Sequence, residues 1–321
     1  MALLDVRGLK TYFFTRWGVA KAVDGVDFQV DTGKTLGLVG ESACGKSVTG
    51  FSILRLVEQP AGRIVAGEVL FNGENLLLKS EEEMRNYRGS HLSMILQDPM
   101  VSLNPVMSIG NQVGEGISLH QSLAGDALRD KVVETMRLVR IPAPETRVND
   151  YPHQYSGGMR QRIVGAVALA CKPHLLIADE PTTSLDVTVQ AQYLNLLKDI
   201  QEKEGLAMIF ITHDFGIVAK MCDEVAVMYC GRIVEKADVR TIFGSPAHPY
   251  TRALVNSVPR ADERVERLFS IEGQPPSVYN LPSTCTFLAR CPEKIDSCHQ
   301  REYPPEVKLD GEHSVRCWRY V

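Results

Sequence analysis

Long apolar runs are missing from this 321-residue chain: Ile163 to Cys171, among the longest, covers about nine residues, half of the ~18 that a membrane-spanning helix needs. Met1 to Val6 lack the basic and apolar regions of a secretory signal, so the chain is expected to be soluble and cytoplasmic. No block of Lys or Arg stands out and the formal net charge is -4, which disfavours a surface that tracks nucleic acid. Internal repeats and low-complexity tracts are absent too. What remains is a chain long enough for two domains, or for one large domain with an appendage.

The periodicities alternate between strand and helix. Val26 to Val30 alternates and Thr35 to Val39 reads as a buried strand, with Asp31-Thr32-Gly33-Lys34 as the turn between them. A helix is expected from Gly45 to about Leu56, and strands return at Glu68 to Phe71 and Met94 to Leu96. From about Ile109 to Arg140 the pattern becomes helical, and a Pro-rich break follows at Ile141 to Pro144. Three further apolar runs, His174 to Ala178, Ala207 to Ile211 and Glu224 to Met228, are separated by helices, as in a parallel sheet.

Gly40-Glu41-Ser42-Ala43-Cys44-Gly45-Lys46-Ser47 fits the phosphate-loop pattern in its required context, after a strand and before a helix that Val48 continues. Backbone N–H groups and the helix N-terminus would cradle phosphates, Lys46 would neutralise their outer oxygens, and the Ser47 hydroxyl would ligate Mg²⁺. Asp179 ends an apolar strand, where it can hold the Mg²⁺ shell, and Glu180 beside it can polarise a water. Ser156-Gly157-Gly158 opens a helix, with Ser156 standing 23 positions before Asp179. That helix start offers a second phosphate-binding surface.

The loop, the segment Tyr155 to Arg162 and Asp179-Glu180, in this order, resemble the nucleotide-binding subunits of ABC transporters over almost the whole chain. The resemblance implies an α/β P-loop ABC ATPase fold. Its parts would be a mixed sheet core, an N-terminal antiparallel β subdomain, an inserted helical subdomain at about 100–165 and a small C-terminal Cys-rich extension. It implies an ATP sandwich in which Gly40 to Val48 of one subunit face Ser156, Gly157 and Gly158 of another. By the family's motifs, Gln97 in Leu96-Gln97-Asp98-Pro99 reaches the Mg²⁺ and attacking water, Asp186 crosses the dimer interface, and His213 contacts the γ-phosphate. Taken alone, Gln97 and His213 would be ordinary polar residues; their place after apolar strands in the family's order changes that reading. Phe13, of Tyr12-Phe13-Phe14, aligns with the aromatic that stacks on adenine, and strand alternation predicts Tyr12 and Phe14 on the opposite side. Two positions depart from the pattern. Ala43 replaces a usual glycine, which could cost about 1 kcal/mol if its φ is positive, and Met159 replaces the usual glutamine.

Met159 together with Gln97 to Pro105 and Pro246 to Thr251 resembles the ATP-binding subunits of dipeptide, oligopeptide and nickel importers. That implies a second, homologous ATPase subunit, two permease subunits and an extracytoplasmic solute-binding protein, with this chain on the cytoplasmic face of the membrane. The division expected is an ABC domain over 1–245 and an extension over 246–321. Peptide is the expected solute, with nickel or oligosaccharide as alternatives. A soluble ABC ATPase acting on DNA or ribosomes, or an ATP sensor without turnover, are the rival classes. In the extension Cys285, Cys291, Cys298 and Cys317 fall within 37 residues, where even spreading would put about one cysteine. Paired C-x-x-C spacings, which zinc prefers, are absent; four cysteines with a Pro after Cys291 suit a 4Fe–4S cluster, which the resemblance to this subgroup also implies, with zinc or reduced structural thiols as alternatives.

Overall fold

A computed structural model describes residues 2–183, 185–258 and 271–321. Its strands are β1 (Leu4–Thr15), β2 (Gly18–Val30), β3 (Thr35–Val39), β4 (Gly62–Phe71), β5 (Glu74–Asn75), β6 (Leu92–Ile95), β7 (Leu175–Asp179), β8 (Ala207–Thr212), β9 (Glu224–Tyr229), β10 (Arg232–Asp238), β11 (Val307–Asp310) and β12 (His313–Val315). The chain divides into two compact units, one built from 1–30, 35–77 and 210–321, the other from 31–34 and 78–209.

The first unit holds an antiparallel sheet in the order β2-β1-β4-β5. Alternation along β2 buries Val23, Val26, Phe28 and Val30, the half-buried pattern that a one-sided antiparallel sheet selects. A second set of strands runs β11-β12-β10-β9-β3. Within it β3 lies parallel to β9, while β10 pairs antiparallel with both β9 and β12. All five residues of β3 are buried, as expected of a strand covered on both faces. The helix after β3 is shorter than its sequence suggested. It runs Lys46–Ile53 and stops where Arg55 takes φ 53°, a left-handed conformation that cannot continue an α-helix.

In the second unit β6 and β7 pair in parallel, Leu92 opposite Leu175 and Ile95 opposite Ala178. The single helical pattern from 109 to 140 resolves into two helices, Ile109–Gln121 and Gly125–Leu138, because Ser122 turns left-handed at φ 54°. The helix Gly157–Leu169 is apolar on most faces and buries Ile163, Ala166 and Leu169. Its Gly165 lets Tyr193 of the helix Val187–Glu204 approach closely: a Cβ there would lie 2.8 Å from the tyrosine hydroxyl. Among the described residues no helix is long and apolar enough to cross a membrane.

Candidate functional site

The phosphate loop joins β3 to the helix Lys46–Ile53, and its two glycines are required by close backbone packing. Gly40 has φ 153° and Gly45 φ 108°. A Cβ on Gly40 would meet the Met228 carbonyl oxygen at 2.2 Å, and one on Gly45 would meet that of Ala22 at the same distance. Gly45 caps the helix with no side-chain hydrogen bond, so the N–H groups of the first turn lack a side-chain acceptor. Such a helix start suits an anion. Lys46 is buried and its Nζ donates to the carbonyls of Gly40 at 2.8 Å and Glu41 at 2.9 Å, closing the loop around the ammonium. Ser47 and Val48 are half-buried, and Ser42 and Ala43 are exposed. Burial raises the Cys44 thiol, which stays protonated although Lys46 lies 3.7 Å away. Ala43 does take a positive φ, 61°, so the condition for strain at this alanine is met.

Of the aromatic trio, Tyr12 donates its hydroxyl to Asp24 at 2.7 Å and Phe13 is half-buried beside Gly62. Phe14 is exposed, with the Arg63 guanidinium 5.4 Å over its ring. Simple alternation is interrupted here by a register shift between Thr11 and Tyr12. The sequence reading passed over Trp17, which is 70% exposed between β1 and β2. Also in this unit is His213, exposed after β8 and followed by Asp214, which caps the helix Phe215–Met221.

In the second unit Gln97 and Glu180 meet. The Gln97 amide donates to Glu180 Oε2 at 2.9 Å, and the Thr183 hydroxyl donates to the same oxygen at 3.0 Å. Glu180 has φ 44°, an uncommon conformation for a residue that precedes proline and one found where a side chain must be aimed. Asp179, immediately before it, is buried at the end of β7. Ser156 caps the helix Gly157–Leu169 by accepting from Met159 N at 3.4 Å, and Asp186 caps the helix Val187–Glu204 by accepting from Val189 N at 3.0 Å. These two helix starts are neighbours, since a Cβ on Gly158 would fall 2.6 Å from Val189 Cγ1. Gly157 differs: a Cβ there would meet nothing within 4 Å.

Comparison with known proteins decides the family. A model of the ABC transporter family matches residues 23–183, half of the chain. The chain belongs to the ABC transporter family. A second model, for the C-terminal region of oligopeptide/dipeptide transporters, matches residues 234–298. The dipeptide transport ATP-binding protein DppD of Bacillus subtilis is 47% identical over 98% of this chain and 94% of its own length. A probable peptide ABC transporter ATP-binding protein of Sinorhizobium fredii is 51% identical over 99% and 95%. Among solved structures, the ATP-binding cassette MJ0796, determined as a dimer with ADP and Pi, matches with TM-score 0.66 at 22% identity, over 74% of this chain and 99% of that one. The cassette cbiO1 of Clostridium perfringens matches with TM-score 0.65 at 25% identity, over 76% and 91%. This ABC protein is therefore an ATPase with the expected P-loop fold, N-terminal antiparallel sheet and mixed sheet included.

The extension of this ABC ATPase corrects one expectation and adds two residues. Cys285, Cys291, Cys298 and Cys317 do come together, lining a cavity of about 20 Å³ with Phe287 and His248. That space admits about one water molecule. Burial pushes the Cys285 thiol up to about 11 and raises Cys291 and Cys317, which disfavours the thiolates that metals bind. Among the described residues no group of three or more His, Cys, Asp or Glu is placed to hold a metal. Neither the cluster nor the zinc alternative fits, and the cysteines are free thiols. His313 sits 2.9 Å from buried Glu235.

Other residues that sequence reasoning missed lie on or near the extension's contact with the phosphate loop. Glu235 accepts from the backbone N–H groups of Ala247 (2.6 Å) and His248 (2.8 Å), and His248 Nδ1 accepts from Tyr250 N at 3.0 Å. Tyr250, fully buried, accepts the Glu41 N–H on its hydroxyl at 2.9 Å. The segment Pro246 to Thr251 had marked a subgroup without suggesting any role. Arg290 gave no sequence signal at all, yet it forms a two-pronged ion pair with Glu41, at 2.7 and 2.9 Å.

Proposed function

We propose that this ABC ATPase powers import of di- or oligopeptides, working from the cytoplasmic face of the membrane. The observation that carries the reading is the joint match of one chain to the ABC transporter model and to the C-terminal region of oligopeptide/dipeptide transporters. Relatives described as dipeptide and oligopeptide transport ATP-binding proteins support it along nearly their whole length. Its partners in this reading are a second homologous ATPase subunit, two permease subunits and an extracytoplasmic solute-binding protein.

Gly40 to Val48 hold the triphosphate through backbone N–H groups, and Lys46 supplies the positive charge. Bound Mg²⁺ would neutralise charge on the phosphates, and Ser47, Gln97 and Asp179 are the residues that would hold it or its water. Glu180 accepts the proton of the attacking water, with Gln97 and Thr183 fixing the carboxylate's direction. His213 contacts the outer phosphate. Ser156, Gly157 and Gly158, with Asp186 beside them, serve the nucleotide of the second subunit. That Gly157 looks into open space supports this assignment, because nothing among the described residues requires a glycine there. Phe13 is the proposed adenine platform, with exposed Trp17 as the other ring available near the hairpin.

The test uses the complex assembled with its permease and solute-binding protein. ATPase activity should rise when the binding protein is loaded with peptide; stimulation by nickel or oligosaccharide alone would reassign the solute. Glu180→Gln should retain ATP while turnover falls about 10²–10⁴-fold, the usual contribution of a general base. Unchanged ATPase in that variant would falsify the role given to Glu180.

A further inference from the structure

A carboxylate sits where this loop has to hold polyphosphate. Glu41 follows Gly40 directly, and its carbonyl oxygen is one of the two that Lys46 Nζ contacts. A negative side chain in such a loop opposes an anionic ligand, since like charges in one site disfavour each other.

The extension brings a countercharge. Arg290, in the short turn Leu288–Arg290, donates from Nη1 to Glu41 Oε2 at 2.7 Å and from Nη2 to Oε1 at 2.9 Å. This bidentate arrangement is the stronger, geometrically specific kind of ion pair. The guanidinium is held in place rather than drawn from a mobile surface side chain. Its side chain is 4% exposed, its Nε donates to the Glu272 carbonyl at 3.0 Å, and Nη1 also reaches the Tyr229 hydroxyl at 3.2 Å. Tyr250, also from the extension, fixes the backbone of Glu41 through the N–H. Both the charge and the position of the first residue after Gly40 are thus set by the C-terminal extension.

We propose that Arg290 is a positioning residue for ATP: it cancels the charge of Glu41 and holds that side chain to one side, so that the phosphate loop presents Lys46 and its N–H groups without an opposing carboxylate. The proposal rests on the reading that Gly40 to Val48 bind ATP. It gives the extension a part in nucleotide affinity.

The experiment measures ATPase of the assembled complex against ATP concentration, with thermal unfolding of each variant as the folding control. Arg290→Gln should raise KM for ATP about tenfold or more and leave kcat within about twofold, because an uncompensated charge acts on binding. The double variant Glu41→Gln/Arg290→Gln, which removes both charges, should bring KM back to within about threefold of the original. A passive structural tie would show no such rescue. An unchanged KM in Arg290→Gln, or a double variant no better than the single one, overturns the proposal. If Arg290→Gln does not fold, Glu41→Gln alone decides: it leaves a positive charge beside the loop and should lower KM, and an unchanged or higher KM overturns the idea. Lys46→Ala keeps the two readings apart, since normal ATP binding in that variant would refute the loop reading itself, whatever Arg290 does.

Discussion

Two helices of this protein begin at glycine-containing turns, and the two starts are built differently. At the phosphate loop, Gly40 and Gly45 sit at positive φ with backbone carbonyls 2.2 Å from where a Cβ would be, so the chain's own packing demands them. No side chain caps the helix there. At Ser156 a hydroxyl caps the helix, Gly158 is required by Val189, and Gly157 meets nothing among the described residues. The first start is a pocket that is finished except for its anion. The second is a surface on which, among the described residues, Gly157 is left open to an approaching molecule.

Substituting one residue at each start gives the sharpest contrast. Lys46→Ala should lower ATP affinity of the isolated chain by about 100-fold or more, the loss of a close charge-assisted contact to phosphate. Gly157→Ala should leave that affinity and the unfolding midpoint unchanged, yet cost at least about tenfold in turnover once the partner subunit is present, because a misplacement of about 1 Å is enough. Equal loss of ATP binding in the two isolated variants would erase the distinction.

Acid provides a smaller lever on the phosphate-loop side. Burial lowers His248 to about 3, against 6.5 ordinarily, and its neutral Nδ1 accepts from Tyr250, which in turn holds Glu41. The group facing it with charge is Arg252, which lowers it further. Because the folded pKa is the depressed one, the unfolded chain takes up the proton first. Stability therefore falls as pH drops from about 6.5 toward about 3, by about 2 kcal/mol between roughly pH 6.5 and 5. Urea denaturation at those two pH values should show this loss in the natural chain and much less of it in His248→Asn, which keeps an acceptor but does not titrate. Identical losses in both would remove His248 from the account.

The smallest effect is expected at Ala43. Its φ of 61° costs an alanine about 1 kcal/mol that glycine does not incur. Ala43→Gly should therefore raise Tm by about 1–2 °C, with KM for ATP within about twofold. A fall in Tm would mean that the loop's conformation is not a strained one.

Much of the site was legible in the sequence. Ser156 to Gly158 could be read as opening a helix because they stand directly before an apolar run, and Asp179-Glu180 could be read because acids at the end of an apolar strand emerge from the core together. Ala43 could be read as a conditional strain, awaiting only the sign of φ. The four clustered cysteines misled, since their spacing resembles a ligand set while, among the described residues, no group of three or more is placed to hold a metal. Residues 109 to 140 read as one helical pattern, and a single left-handed residue, Ser122, divided it. Ser184, part of the motif after Glu180, lies outside the described residues.

What the sequence by itself determined is local: which turn fits the phosphate-loop pattern, which strand ends in acids, which glycine-rich turn opens a helix. Each depends on neighbours a few positions away, and chemistry at that range is written in order along the chain. What only the tertiary structure decided is the set of groups standing beside those turns. Glu41 and Arg290 are 249 positions apart, and no periodicity or motif links them. Folding places them at 2.7 Å because the extension packs Tyr250 and Phe287 against Tyr229 at the end of β9. A carboxylate and a guanidinium brought that close attract strongly only where water is kept away from them, and the exclusion of water is a property of the folded surroundings.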